Sequence, residues 1–248
     1  WLYFADRLME FPAGLLGAAL GTILLPSLSR THAQGKTDEF SALLDWGLRL
    51  TLLLTLPSAL ALAILGVPLI STLFQHGAFT AQDVLRTREA LLAYSIGLSG
   101  LILVKILAPA FYSRQDIRTP VKIALLTLTL TQLMNFAFVF WLRHAGLALA
   151  TGLASCVNAL FLYRGLRRLD VYRPAPGWGS FVLRLCLGLA AMGAFLWLAS
   201  GPESAWLTAT ARTRLVHLVI LVSGGIISYL GCLWLLGFRL KDFTRRTT

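Results

Sequence analysis

Seven long apolar runs, separated by short charged or Gly- and Pro-rich stretches, organise this chain. They cover residues 3–28, 46–74, 89–112, 120–142, 145–163, 180–200 and 214–238. Each is long enough, or nearly so, to cross about 30 Å of hydrocarbon as a helix. The pattern predicts an all-α fold, a polytopic membrane bundle of about seven transmembrane helices. The run 46–74 is long and holds Pro57 and Pro68, which predicts a kink or break followed by a partly re-entrant stretch. "FQHGAFTAQD" and "YRPAPGWG" carry the punctuation of loops. In "SRTHAQGKTDEFSALLDWG", Asp38, Glu39 and Asp45 stand among apolar positions, predicting a short amphipathic helix near 36–45 at the membrane interface.

Composition strengthens the membrane reading. Hydrophobic residues make up 57% of the chain and charged ones 13%, and the mean hydropathy is +0.73. A soluble globular domain is excluded, because so little polar surface cannot cover so much apolar surface. The net charge of +11 raises nucleic acid as a partner. The basic residues, however, sit in short clusters between apolar runs, which fits membrane topology and not nucleic-acid binding. One set of connections and ends carries fifteen Lys and Arg, including Arg114, Arg118 and the tail residues Arg239, Lys241, Arg245 and Arg246. The alternate set carries six: Arg7, Arg86, Arg88, Arg143, Arg212 and Arg214. Cytoplasmic loops hold the basic excess, so the C-terminus is expected in the cytoplasm and the first helix to enter from the outer side. Cys156, Cys186 and Cys232 lie in separate apolar runs without metal-ligand or redox spacing, and read as small packing residues. A chain that opens on Trp1, already apolar, reads as the C-terminal portion of something longer.

Candidate chemistry begins at "FADRLMEFPAG". On a helix Asp6 and Glu10 stack one turn apart, with Arg7 in reach of Glu10. Gly14, Gly17 and Gly21 continue the same stripe, beside Ala13 and Ala18, and small residues let a backbone or bulky ligand approach. Two readings stand for the charges. One is an interfacial salt bridge; the other is a set lining a water-filled cavity, the usual home of ionisable groups in membrane helices. Pro12 loosens the helix just beyond them. Lys105 in "LILVKILAPAF" is the deepest cation, and either snorkels toward the Arg114 end or faces a cavity. Arg114, Arg118 and Lys122, in "FYSRQDIRTPVK", anchor a turn on the basic side, or meet acidic lipid or a phosphorylated headgroup. Asp116 is expected to pair with one of these arginines. Gln132 and Asn135 suit interhelical hydrogen bonding. The four histidines are scattered, and there is no nucleophile–base grouping, phosphate loop or metal-ligand spacing, so neither an enzyme nor a bound cofactor is expected.

The stretches "ADRLMEFPAGLLGAALGTILLPSLS" and "LAPAFYSRQDIRTPVKIA" resemble the MviN family of lipid II flippases. The likeness continues through "DWGLRL", "LTQLMN" and "LGFRLKDFTRR", and so spans essentially the whole chain. The family is part of the multidrug/oligosaccharidyl-lipid/polysaccharide exporter superfamily, and the match is to the C-terminal half of a fourteen-helix, two-lobed protein of the bacterial inner membrane. The resemblance implies alternating-access transport of lipid II, the undecaprenyl-pyrophosphate-linked peptidoglycan precursor, through a central cationic cavity. It places a cavity motif on Asp6, Arg7 and Glu10; Lys105, Arg114 and Arg118, read from the charge pattern, are weaker substrate-binding candidates on the cytoplasmic side. It also implies a partial transporter lobe over 1–170. Residues 171–248 follow as two additional helices that take the lipid tail, with a cytoplasmic tail. Expected partners are lipid II, membrane lipids and the missing N-terminal lobe, with no nucleic acid. A related exporter of drugs or another lipid-linked oligosaccharide, and a non-transport scaffold, are the alternatives. Some members bind sodium through a carboxylate and amides on helices matching 120–163, where this chain has no Asp or Glu. Coupling to a monovalent cation or to membrane potential is left open.

Overall fold

The computed structural model describes residues 1–238, all of whose regular elements are helices. They are α1 (Leu2–Ala33), α2 (Thr37–Ile64), α3 (Gly66–Leu73), α4 (Ala81–Tyr112), α5 (Arg118–Arg168), α6 (Trp178–Ser200), α7 (Glu203–Thr208) and α8 (Ala211–Leu235). The tail cations Arg239, Lys241, Arg245 and Arg246, and most of "LGFRLKDFTRR", lie outside the described residues. Six of the described helices are long and apolar enough to cross a membrane. Helices suit a bilayer because each satisfies its own backbone polar groups.

One of the six is a double span. The 51 residues of α5 would reach about 76 Å as a straight rod. Arg143, at φ 50° and ψ −127°, leaves the helical region and divides α5 into limbs 118–142 and 144–168. A Cβ on Gly146 would lie 2.6 Å from the Phe138 carbonyl oxygen. Eight residues along a continuous helix are about 12 Å apart, so the chain doubles back here. Seven membrane-length rods result, as the runs 120–142 and 145–163 predict. Positive φ suits glycine far better than arginine. Arg143→Gly is therefore expected to raise stability by about 1 kcal/mol, read as a higher thermal midpoint of the purified protein.

Two local expectations are corrected, and the expected break in 46–74 is found and located. No separate interfacial helix occupies 36–45: residues Thr37–Ile64 are one helix, and Asp45, 4% exposed, faces the interior. Pro57 sits inside α2 without ending it, and the break falls at Leu65 (φ −87°, ψ 16°). Pro68 then occupies the first turn of α3, where its missing N–H forfeits no helical bond. α4 starts at Ala81 and not near 89, because Thr80 and Asp83 form a reciprocal cap. The Asp83 N–H donates to Thr80 Oγ1 at 3.3 Å, and the Thr80 N–H donates to Asp83 Oδ2 at 2.8 Å.

Glycines set the packing around α4. Gly97 meets the backbone of Gly152, and a Cβ on Gly100 would come within 2.5 Å of the Cys156 nitrogen, so α4 and the second limb of α5 run side by side in parallel. α2 packs antiparallel to α1, with Gly47 against Leu24. It is also joined to α4 through the Thr55 hydroxyl, which donates to Ser99 Oγ at 3.3 Å. α6 and α8 pair antiparallel, with Gly188 against Leu233 and Gly225 against Leu196. In a bilayer, where burying apolar surface gives little drive between helices, such close approach supplies the dispersion energy of association.

Candidate functional site

The first three turns of α1 present the charges. Arg7 and Glu10 form a 2.8 Å ion pair with both side chains more than half exposed. The Arg7 guanidinium also stacks over Tyr3, 5.1 Å from the ring centroid. Asp6 is turned partly inward, half-buried and within electrostatic reach of Tyr94 on α4. The charged arc is thus split, with Arg7 and Glu10 on the open face and Asp6 on the α4 side.

Lys105 joins this end of the molecule. Its stem lies over Gly17, where a Cβ would come 2.5 Å from Lys105 Cδ, and its ammonium donates to the Ala13 carbonyl at 3.2 Å. It therefore points back along α1 toward Glu10 and does not snorkel toward Arg114. Gly17 is consumed by that packing, whereas Gly14 and Gly21 meet nothing within 4 Å. The open face of α1 continues past them through Phe11, Leu15 and Ile23, all exposed. Gly14→Leu should leave stability, read from the thermal midpoint, unchanged to within about 0.5 kcal/mol, while lowering transport if this face receives substrate.

Arg114 and Arg118 are elsewhere. Lys105 stands beside Gly17, so Arg7 is level with about residue 95 of α4, and Arg114 is then about 28 Å away along the helices. Arg114 borders a cleft of about 190 Å³ with His32, Lys36 and Asp170, at the other end of the bundle. Asp116 does not pair with these arginines as its main contact. It accepts the Thr119 N–H at 3.0 Å, and its hydrogen bonds to Thr119 hold its carboxyl below the usual carboxylate range. Gln132 and Asn135 share a shallow depression with Phe136, and the Asn135 Oδ1 is buried without a partner. With no Asp or Glu between 120 and 163, these residues do not supply the carboxylate of a sodium site, and no ion-coupled step is derived from them.

One cluster escaped the sequence reading. Asp45 Oδ1 accepts the Tyr172 hydroxyl and the Trp178 indole N–H, each at 2.7 Å, and the Ala175 N–H at 3.2 Å. Arg49 Nε lies 2.8 Å from Asp45 Oδ2 but off the N–H axis, so the contact is an ion pair and not an aligned hydrogen bond. Burial, then the bond to Asp45, raises the Tyr172 phenol above its ordinary pKa and keeps it a donor. The Asp45/Arg49 spacing of four was the available signal, but partners more than 120 residues away were not.

A family model described as "Lipid II flippase MurJ" matches residues 1–217. The "Lipid II flippase MurJ" of Burkholderia cenocepacia is 48% identical over 247 residues, covering 99% of this chain and 48% of that protein. The "Probable lipid II flippase MurJ" of Vibrio cholerae is 41% identical over 248 residues, covering 100% and 47%. A solved structure, "Lipid II flippase MurJ, inward closed conformation", superposes with a TM-score of 0.76 at 24% identity, covering 98% of this chain and 47% of that one. The chain spans about half the length of the curated relatives it matches.

Proposed function

Because the chain belongs to the lipid II flippase MurJ family, we propose that it supplies one lobe and two further helices of a transporter that carries lipid II across the bacterial inner membrane. Residues 1–170 form the partial lobe and 171–248 the additional helices with their tail. The basic end, with Arg114, faces the cytoplasm, and so does the C-terminus. The remainder of the transporter comes from the sequence that the relatives have and this chain does not.

The observation that carries the site is the exposed Arg7–Glu10 pair on α1, with the Lys105 ammonium reaching in from α4 to the Ala13 carbonyl one turn further along. Ionisable groups within a membrane helix cost about 2.5–3.5 kcal/mol each at the midplane unless they face a polar cavity. An open face bearing Arg7 and Glu10, with a third charge close by on α4, therefore suits a charged headgroup better than lipid tails. A guanidinium matches phosphate oxygens in a bidentate fork, so Arg7 exchanges Glu10 for the pyrophosphate or an acidic peptide group of the substrate. Lys105, a compact charge held by a single carbonyl, adds a second donor, and Asp6 and Glu10 orient the cations between states. Arg114 and Arg118 make the first contact on the cytoplasmic side. Transport of this kind breaks no covalent bond, so the protein is a transporter and not an enzyme.

The test is growth of a bacterial cell depleted of its own lipid II flippase and supplied with the full-length protein. Rescue, with lipid II appearing in the outer leaflet, is expected; failure of a membrane-inserted full-length protein to rescue overturns the reading. Lys105→Met should slow translocation about tenfold or more, as one charge-assisted contact of about 1.5–3 kcal/mol is lost. A rate equal to the parent's would remove Lys105 from the site.

A further inference from the structure

The helix pair α6 and α8 is fastened to α2 and α3 by polar contacts at three depths. At the basic end, the Asp45 cluster holds residues 172–178, the strap that leads into α6. Ser41 reinforces it, donating its hydroxyl to the Arg173 carbonyl at 3.0 Å and accepting the Arg173 N–H at 2.9 Å. Arg49 stacks over Trp178 and donates to the Pro176 carbonyl at 3.1 Å. At mid-depth, the Tyr229 hydroxyl on α8 donates to the Leu53 carbonyl at 2.7 Å. That carbonyl is available because its helical partner would be residue 57, and Pro57 has no N–H. At the opposite end, the buried Arg214 donates to the carbonyls of Ser71 and Leu207, both at 2.9 Å. It thereby caps the C-terminal turns of α3 and α7 with a cation.

Lipid competes equally well for the apolar faces of such a pair, so polar contacts decide whether it stays docked. We propose that Asp45 and Tyr229 are positioning residues that clamp the α6–α8 pair to α2, so that the pair moves with the lobe as one body. The functional consequence rests on the flippase reading: a lipid tail held by the pair then keeps a constant register with the headgroup site on α1 during each cycle.

The clamp is tested in the full-length protein with Cys156, Cys186 and Cys232 replaced by serine and spin labels at positions 54 and 198. One narrow distance is expected in lipid nanodiscs, lost to a broad distribution in Asp45→Ala and broadened in Tyr229→Phe. The latter removes a single hydroxyl and keeps the measurement possible should Asp45→Ala fail to fold. Unchanged distributions in the variants that fold overturn the clamp. A second arm uses Leu60→Cys with Gly193→Cys, since a Cβ on Gly193 would sit 3.4 Å from the Leu60 side chain. Bridging the two with a short bifunctional thiol reagent should leave growth rescue intact, and restore the rescue that Tyr229→Phe weakens. Loss of rescue on bridging means that the pair must move against α2, and overturns the proposal. A labelled parent with one narrow distance but no growth rescue counts against the flippase reading and leaves the clamp standing.

Discussion

Arg7→Ala in the full-length protein is expected to abolish rescue of a flippase-depleted cell while leaving the amount of membrane-inserted protein unchanged. The two halves of this expectation have different physical sources. Arg7 contributes little to the fold, since its partners are the exposed Glu10 and the face of Tyr3, and exposed ion pairs add little stability. Its value lies in chemistry that alanine cannot supply, a planar fork of donors that remains charged at any physiological pH. Arg7→Lys keeps the charge and loses the fork, so it should restore only part of the rescue. Arg212→Ala removes an exposed cation from the same end of the bundle and should rescue fully. Normal growth with Arg7→Ala, or equal loss with Arg212→Ala, would sink the assignment. Membrane protein levels in the same cells separate a dead site from a missing protein.

Gly97→Val should have the opposite profile, with the folded protein itself lost. A Cβ at Gly97 would occupy the space of the Gly152 backbone. Side chains can rotate away from an intruding methyl, but a backbone on a neighbouring helix can only retreat with the whole helix. Overpacking costs about 1–3 kcal/mol in ordinary cores, and a backbone-on-backbone contact belongs at or beyond the upper end of that range. Retreat would also loosen Gly100 from Cys156 one turn along, in the same seam. Thermal unfolding of the purified protein and its accumulation in membranes are the measurements. An unchanged midpoint would mean that α4 and the second limb of α5 do not approach this closely. Gly14→Leu is the internal comparison, because a larger residue there meets open space.

The seven spans were legible in the sequence because a bilayer imposes one demand on every spanning helix: enough consecutive apolar residues to cross it. Even the reversal at Arg143 was marked, by the polar break between the runs 120–142 and 145–163. The separation of basic residues between two ends followed from the same alternation, and Arg7 with Glu10 was visible because their pairing is local. What lay beyond reach was which face of each rod meets which neighbour. In a membrane both the lipid-facing and the protein-facing sides are apolar, so periodicity carries little information about partners. Lys105 is the clearest case: its direction toward Ala13 is set by Gly17 on another helix and not by its distance from Arg114. Asp45 looked like interfacial charge until Tyr172, Trp178 and Ala175 surrounded it. Pro57 and Pro68 marked a kink or break in 46–74, but not that the N–H missing at Pro57 leaves a carbonyl that Tyr229 fills. The sequence by itself determined the number of membrane-length rods and the local charge pair. Tertiary structure alone decided which buried polar groups are satisfied, because their partners lie on other helices, far away in the chain.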